Sequence, residues 1–187
     1  MVTKTPVNGV NVDQLFNTIN AIKENPSLAK FQFRAKSEWV DGAHLLTSIK
    51  TFYGAGQEDI SRTKPFMLDA DEPPVLLGAN QGPNAVEVAL QALANCVGVG
   101  FVYNAAAQGI KIEKLEFTME GDLDLHGFLG LSDKVRPGYQ NIRMNCRVKS
   151  DAPREKLVEL FEMTQKRSPV FDIISNPVQI SSKLETD

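Results

Sequence analysis

Apolar residues recur along the chain with two different periods, which separate helical from extended segments. Between residues 11 and 24, four apolar side chains share one face of a 3.6-residue repeat: Leu15, Phe16, Ile19 and Ile22. Asn11 and Gln14 have N-cap and N3 character, so this spacing predicts an amphipathic helix that ends at ENPS, residues 24–27. A second such helix is predicted after Asp151, its expected N-cap, with its apolar face at Leu157, Leu160, Phe161 and Thr164.

Strands are predicted where apolar and polar residues alternate. Residues 31–39 and 43–53 flank Asp41-Gly42, a pair typical of hairpin turns, and Pro65 makes a third strand at 60–68 an edge or bulged one. Residues 112–128 and 141–150 alternate on either side of the turn VRPGYQ, and the second run puts Ile142, Met144, Cys146 and Val148 on one face. A last strand is predicted at VQISSKL, residues 178–184, after a short helical segment at 167–177.

The segment from Val88 to Ile110 contains no charged residue and is long enough to span a bilayer. It also contains Gln91 and Asn95 together with many alanines and glycines, within a sequence otherwise typical of a soluble domain. We therefore predict a buried core helix and no membrane contact. Asn84 and Glu87 form a candidate capping box at its start, and Gly109 is a suitable C-terminal stop.

The order helix, strands, buried helix, strands, helix, strand predicts an α+β fold with antiparallel sheets. Residues 1–30 are expected to form an N-terminal helical extension, and residues 31–187 the main domain. No internal repeat or low-complexity segment interrupts this order.

Composition narrows the functional classes. The net charge of −3 is spread along the chain, without a basic patch interleaved with aromatics, so nucleic acid is not an expected partner. Two cysteines form no disulfide framework, and MVTKTPVNGV lacks the apolar region of a signal peptide, which favours the cytoplasm. His44, Cys96, His126 and Cys146 lack zinc-ligand spacing, and LGANQGPN lacks a phosphate-binding motif. No metal or cofactor is expected.

Cys96, within QALANCVGVG, has two interpretations. It lies in an apolar helix twelve residues beyond Asn84, and a helix dipole fades within about one turn, so its own helix cannot activate it. Buried cysteines in such surroundings are usually inert, so the residue chemistry alone favours a core residue over a nucleophile. Cys146, on the apolar face of an alternating strand, is expected to be a small buried hydrophobe.

Three collinear segments resemble the OsmC/Ohr superfamily, the osmotically induced and organic hydroperoxide resistance proteins. GPNAVEVALQALANC (82–96) resembles the helix that carries the reactive cysteine, RPGYQNIRM (136–144) the turn before a strand, and SPVFDIISNPVQI (168–180) the closing segment. The resemblance implies an intertwined homodimer, with sheets wrapped around two central helices, that reduces hydroperoxides through a thiolate. It places Cys96 at the peroxide-attacking position.

Two positions depart from the family pattern. The resolving position holds Ser168, which cannot form a disulfide but is a good N-cap before Pro169. The family's activating arginine aligns roughly with Val40, and the nearby substitutes are Arg34, Arg62 and His44. Glu87 lies nine residues before Cys96, so the two face opposite sides of one helix. Glu87 is therefore either a cap or a catalytic residue acting across a dimer interface.

The function expected from the resemblance is thiol-dependent hydroperoxide reduction through Cys96 in a one-cysteine mechanism, for oxidative-stress defence. Its partners would be a small-molecule peroxide, a thiol reductant and a second copy of the chain. The alternative is a non-catalytic protein of the same fold that binds a small molecule or senses redox state, because the resolving cysteine is missing and the arginine is uncertain.

Overall fold

The computed structural model describes residues 6–186, which fold as two compact units. The first unit is built on Asn11–Ala89, and the second on Val7–Val10 together with residues 90–186. The α+β class predicted from the sequence is confirmed, because helices accompany exclusively antiparallel strand pairs in the described chain. The predicted boundary after residue 30 stays a prediction.

The first unit begins with helix α1, Val12–Glu24. Its N-cap is Asn11, as predicted, because the Asn11 side chain accepts a hydrogen bond from the N–H of Gln14 at 3.0 Å. None of its residues is buried, and the predicted apolar face leaves Phe16 45% exposed. A short 3₁₀ helix at Pro26–Ala29 follows.

The predicted hairpin forms strands β1, Lys36–Asp41, and β2, His44–Ile49. Gly42 lies in the turn with a φ of 52°, a left-handed conformation that glycine adopts without steric cost. The predicted second strand, 43–53, is too long: it breaks after Ile49, and a separate small hairpin follows, β3 at Phe52–Gly54 and β4 at Gln57–Asp59. Strand β5, Phe66–Ala70, begins directly after Pro65 and pairs with the second edge of β2.

The loop after β5 is organised by the carboxylate of Asp71, which is only 3% exposed. One of its oxygens accepts the N–H of Glu72 at 2.8 Å, and the other accepts those of Ala79 at 3.0 Å and Gln81 at 3.1 Å. One side chain thus satisfies three backbone donors in a segment that has a single 3₁₀ turn, Pro74–Leu76. This arrangement sets the path of the chain into the long helix.

The long helix α2 runs from Ala85 to Ala107, and both predicted ends are confirmed. The side chain of Asn84 accepts the N–H of Glu87 at 2.9 Å, and the carboxylate of Glu87 accepts the N–H of Asn84 at 3.0 Å, which is a capping box. Gly109, with a φ of 72°, ends the helix. The helix is long and apolar enough to cross a membrane by length and composition, a test that core helices of soluble proteins also pass.

The burial of α2 is less complete than its composition predicts. One face is buried: Leu93, Val97, Phe101, Ala105 and Ala106. The opposite stripe, Gln91, Asn95, Val99 and Tyr103, is exposed, and only 17% of the most apolar 18-residue window is buried within the chain. Two of these exposed residues are large and apolar, so α2 presents an uncovered apolar surface.

In the second unit, strands β6, Ile112–Asp122, and β7, Asn141–Ser150, form an antiparallel pair. The alternation is as predicted except at residues 123–128, where Asp124 caps a short helix α3, Leu125–Phe128. Helix α4, Arg154–Arg167, packs against α2 and the sheet, and Leu160, Phe101 and Ala105 form the centre of the core. Helix α5, Pro169–Ser175, follows at once.

Two predictions about the ends of elements in this unit are wrong. Asp151 does not cap α4, because the helix begins three residues later, after Pro153, which has no side-chain acceptor. Residues 178–184 form no strand. They keep an alternating pattern, but none of the described strands of the chain pairs with them, and a strand needs a backbone partner.

Gly100 of α2 lies directly against Thr164 of α4. A Cβ at this position would lie 2.7 Å from Cγ2 of Thr164, closer than side-chain carbons tolerate. Thr164 is buried, and its hydroxyl donates to the carbonyl of Leu160 at 2.7 Å, so its methyl group cannot turn away without losing that bond. The missing side chain of Gly100 therefore sets the distance between the two helices.

We expect Gly100→Ala to lower the free energy of unfolding by about 1–3 kcal/mol, because overpacking outweighs the roughly 1 kcal/mol that alanine gains in a helix. Thermal and chemical denaturation measure this. Gly98→Ala is the matched control on the same helix, since its Cβ would meet Phe117 at a more tolerable 3.2 Å. Thr164→Ser, which removes the opposing methyl group, should restore stability to the Gly100→Ala protein. A Gly100→Ala protein as stable as the Gly98→Ala protein would contradict the argument.

We expect Asp71→Asn to destabilise the protein more at pH 7 than in acid. The N–H of Gln81 above all, with those of Glu72 and Ala79 and the charge of His44, lowers the pKa of Asp71 below its ordinary 3.8. A lowered folded-state pKa contributes stability above the unfolded-state pKa and loses it as pH falls through the folded-state pKa. The difference in melting temperature between wild type and Asp71→Asn should therefore narrow below about pH 4; a pH-independent difference would refute this.

Candidate functional site

Cys96 lies in the middle of α2 and is half-buried, with a free thiol. It follows the buried Leu93 by one turn and precedes the buried Val97, so its sulfur lies at the border between the buried and the exposed faces of the helix. This position differs from that of a fully buried core cysteine, the interpretation that the local sequence favoured.

Ser168 is the residue that the structure brings to Cys96. It lies between α4 and α5 in an extended conformation, with Pro169 at the first position of α5. Its hydroxyl oxygen accepts the N–H of Phe171 at 3.2 Å, which confirms the predicted N-cap. The same hydroxyl donates to Sγ of Cys96 at 3.1 Å. Ser168 is 4% exposed, so this bond is shielded from bulk water.

The contact between Cys96 and Ser168 lies one turn from the close approach between Gly100 and Thr164. Cys96 precedes Gly100 by four residues, and Ser168 follows Thr164 by four. Residues four apart lie on one face of a helix, so the two pairs stack along an antiparallel crossing of α2 and α4. The packing that excludes a side chain at Gly100 thus also holds the hydroxyl against the sulfur.

Glu87, the acidic residue among the predicted site residues, forms the capping box with Asn84. Nine residues of helix separate it from Cys96, about 13 Å along the axis. Capping accounts for its recorded hydrogen bonds, and a catalytic role for Glu87 stays a prediction.

The candidate activating residues of the first unit each have a partner within that unit. Arg34 binds both carboxylate oxygens of Glu58 at 2.8 Å, and each partner shifts the other: the pKa of Arg34 is raised and that of Glu58 lowered. The guanidinium of Arg62 lies over two phenylalanine rings, and His44 bonds to Asp69 at 2.8 Å. Val40, at the position of the family's arginine, is an exposed residue of β1.

Cys146 and His126 are the remaining thiol and histidine, and each has contacts that explain it structurally. Cys146 faces inward from β7 as predicted, and partial burial raises the pKa of its thiol. It borders a cavity of about 480 Å³ that also includes Phe101 and Phe161. The ring of His126 bonds to Asp124. The side chain of His44 is only 12% accessible.

Residues 6–186 contain no group of three or more His, Cys, Asp or Glu residues that could hold a metal ion. The site is therefore described by the sulfur of Cys96, the hydroxyl of Ser168 and the surfaces around them.

A small cavity of about 270 Å³ lies beside the pair. It is lined by one residue of α2, two of β7, one of α4 and three of α5, most of them apolar: Leu93, Ile142, Met144, Gln165, Phe171, Ile174 and Ser175. Leu93 is one turn from Cys96, and Phe171 supplies the N–H that bonds Ser168. The sequence did not predict this cavity, because its lining comes from segments far apart in the chain.

The hydrogen bond from Ser168 to Cys96 was also missed by the sequence argument, which treated Ser168 as a cap alone. The resemblance carried the signal that would have found it, because the resolving position must lie close to the attacking sulfur.

A family model described as OsmC-like protein matches residues 78–183. An OsmC-like protein from Mycoplasma pneumoniae is 16% identical, covering 78% of this chain and 89% of that chain, with a TM-score of 0.58. An organic hydroperoxide resistance protein OsmC from Legionella pneumophila is 16% identical, covering 76% and 88%, with a TM-score of 0.53. An OsmC-like protein of unknown function from Vibrio cholerae is 12% identical, covering 75% and 92%, with a TM-score of 0.55.

A search of curated proteins finds no match. At these identities the solved structures show the fold alone. The match to the family model is of a different kind, because it spans more than half of the 187 residues and includes Cys96 and Ser168. The chain therefore belongs to the OsmC-like protein family.

Proposed function

We propose that the protein reduces hydroperoxides with external thiols, using Cys96 as its one reacting cysteine. The observation that carries this proposal is the position of Cys96 on the central helix of an OsmC-like domain, half open to solvent, with a serine hydroxyl 3.1 Å from its sulfur where the family has a second cysteine. An organic hydroperoxide resistance protein shares the fold, which supports the same reaction class.

The reaction begins when the Cys96 thiolate attacks one oxygen of the peroxide ROOH. The O–O bond breaks, the alcohol ROH leaves after taking a proton, and the sulfur is oxidised to sulfenic acid. Ser168 cannot then form a disulfide. An external thiol attacks the sulfenic sulfur, water leaves, and a mixed disulfide forms. A second thiol releases Cys96 in its reduced form and carries away the external disulfide.

The apolar cavity beside Leu93 and Phe171 supports an organic substrate. Its volume, about 270 Å³, suits a small alkyl or aryl group, and five of the seven side chains that line it are apolar. A bulky apolar hydroperoxide would bury its carbon group there, whereas hydrogen peroxide would gain nothing from it. We therefore expect organic hydroperoxides to be preferred over hydrogen peroxide.

We also propose that the protein is a homodimer located in the cytoplasm. The exposed stripe of α2, where Val99 is 52% and Tyr103 49% exposed, supports a second copy. A shallow groove of about 530 Å³ beside this stripe includes Leu115 and Phe117. The two free cysteines suit a reducing compartment.

The alternative function, binding or sensing of a small molecule on the same fold, is favoured by the neutral surroundings of the sulfur. The bond from Ser168 comes from an uncharged donor, and Arg34, a candidate activator, is held by Glu58. The same apolar cavity would then hold a ligand rather than a substrate.

Steady-state turnover separates these functions. With dithiothreitol and cumene hydroperoxide, we expect the wild type to turn over and Cys96→Ser to lose at least about a hundredfold in rate, because no other group replaces the nucleophile. Cys146→Ser is the matched control and should keep its activity, since that thiol faces the core. If the wild type is no faster than Cys96→Ser and a ligand screen raises its melting temperature, the binding function is favoured instead.

The Ser168→Cys variant gives an independent check on the one-cysteine mechanism. After stoichiometric peroxide and no reductant, the wild type should gain one oxygen in mass at Cys96. The variant should instead lose two hydrogens and two free thiols, because the second sulfur attacks the sulfenic acid and expels water. A disulfide between Cys96 and Cys146 in the oxidised wild type would overturn the one-cysteine mechanism.

The dimer is tested by sedimentation velocity at micromolar concentration. We expect a dimer for the wild type and a shift toward monomer for Val99→Arg, because a charge on the exposed stripe of α2 would be buried without a partner. A stable monomer for the wild type would contradict the dimer without affecting the chemistry proposed for Cys96.

A further inference from the structure

The two hydrogen bonds of the Ser168 hydroxyl determine where its proton points. A serine hydroxyl has one proton to donate and two lone pairs to accept with. The N–H of Phe171 occupies the accepting side at 3.2 Å, and Sγ of Cys96 lies on the donating side at 3.1 Å. Because Ser168 is 4% exposed, bulk water competes little for the proton. The proton of the hydroxyl is therefore aimed at the sulfur.

A donor aimed at sulfur distinguishes the two protonation states of a cysteine. The sulfur of a thiol is a weak acceptor, whereas a thiolate accepts a charge-assisted hydrogen bond that is about twice as strong as a neutral one. The bond therefore favours the ionised form. Because α2 cannot activate Cys96 so far from its N-terminus, this hydroxyl is the contact recorded in the described chain that acts in that direction.

We propose that Ser168 is a positioning residue that holds Cys96 as the reactive thiolate, and that it is more than the cap of α5. The family's resolving cysteine acts after the attacking sulfur has been oxidised. At the same position in this chain, Ser168 would act before Cys96 is oxidised. That this role of Ser168 serves catalysis rests on the function proposed above. The effect itself concerns the reactivity of Cys96 toward any electrophile, so it is measurable without a peroxide.

The fold supplies what such a role requires, because the donor must be held at a fixed distance. Ser168 ends α4 and starts α5, and one turn away Thr164 lies against Gly100. The N–H of Phe171 occupies one of the two lone pairs of the hydroxyl oxygen and limits its rotation. These contacts leave the hydroxyl little freedom to point its proton elsewhere.

The test is the rate of alkylation by iodoacetamide against pH, in a Cys146→Ala background where Cys96 is the one remaining thiol. Ser168→Ala removes both the cap and the donor. Ser168→Gly removes the donor but costs the helix only a few tenths of a kcal/mol, because glycine is tolerated at an N-cap. Ser168→Thr keeps both functions. Melting temperatures are measured on the same four proteins, and the ultraviolet absorbance of the thiolate gives a second readout.

If Ser168 positions the thiolate, the Gly and Ala variants should both be alkylated about tenfold more slowly at pH 7, with rate profiles displaced by about one pH unit to higher pH. Only the Ala variant should lose appreciable stability, and Ser168→Thr should restore the wild-type profile. A Gly variant that reacts as fast as the wild type, or a Thr variant as slow as the Gly variant, would overturn the proposal. Failure of peroxide turnover with these alkylation results intact would remove only the proposed function.

Discussion

The close approach of α2 and α4 at Gly100 and Thr164 is the constraint on which the site depends. Two helices packed through ordinary side chains lie about 8–10 Å apart, whereas here the lack of a side chain at Gly100 lets a buried threonine methyl group lie almost against the helix backbone. One turn along, this places a serine hydroxyl at hydrogen-bonding distance from a cysteine sulfur. The absence of a side chain at Gly100 thus lies one turn from the contact between the two candidate site residues, Cys96 and Ser168.

Under the function proposed above, serine in place of a second cysteine would change the order of events at the sulfur rather than abolish its chemistry. A cysteine at position 168 would act after oxidation, by forming a disulfide, and would protect the sulfenic acid from further oxidation. In the proposal made here for Ser168, its hydroxyl would act before oxidation, on the protonation state of the thiol. The sulfenic acid would then be reduced by an external thiol, so Cys96 would have to admit two kinds of molecule in turn, the peroxide and its reductant.

The sequence was most informative where local chemistry decides the structure. The caps at Asn11, Asn84 and Ser168 and the stop at Gly109 could be predicted, because each depends on residues within one helical turn. Asp151 failed as a cap because the helix begins only at Arg154, beyond the reach of its side chain as an N-cap. The expected strand at 178–184 has the right alternation, but alternation says nothing about whether a partner strand is present.

The site was less predictable because its parts come from distant segments. Residue chemistry favoured an inert Cys96, since the sequence shows the apolar neighbours along α2 but not the hydroxyl 72 residues away. The family resemblance supplied that proximity, while the direction of the hydroxyl proton required the position of the N–H of Phe171. Explaining this hydrogen bond therefore requires the local sequence, the family resemblance and the three-dimensional structure together.

The exposed stripe of α2 shows why a helix without charges need not be fully buried by its own chain. Its buried residues are Leu93, Val97, Phe101, Ala105 and Ala106, and a helix that packed through this face alone would be expected to carry charges on the other. Instead the other face carries glutamine, asparagine, valine and tyrosine, residues that tolerate either solvent or a protein surface. This composition fits the homodimer proposed above, in which a second copy would cover the exposed face. Cys96 lies on the border between them, where a covering surface would narrow the access of substrates to the sulfur.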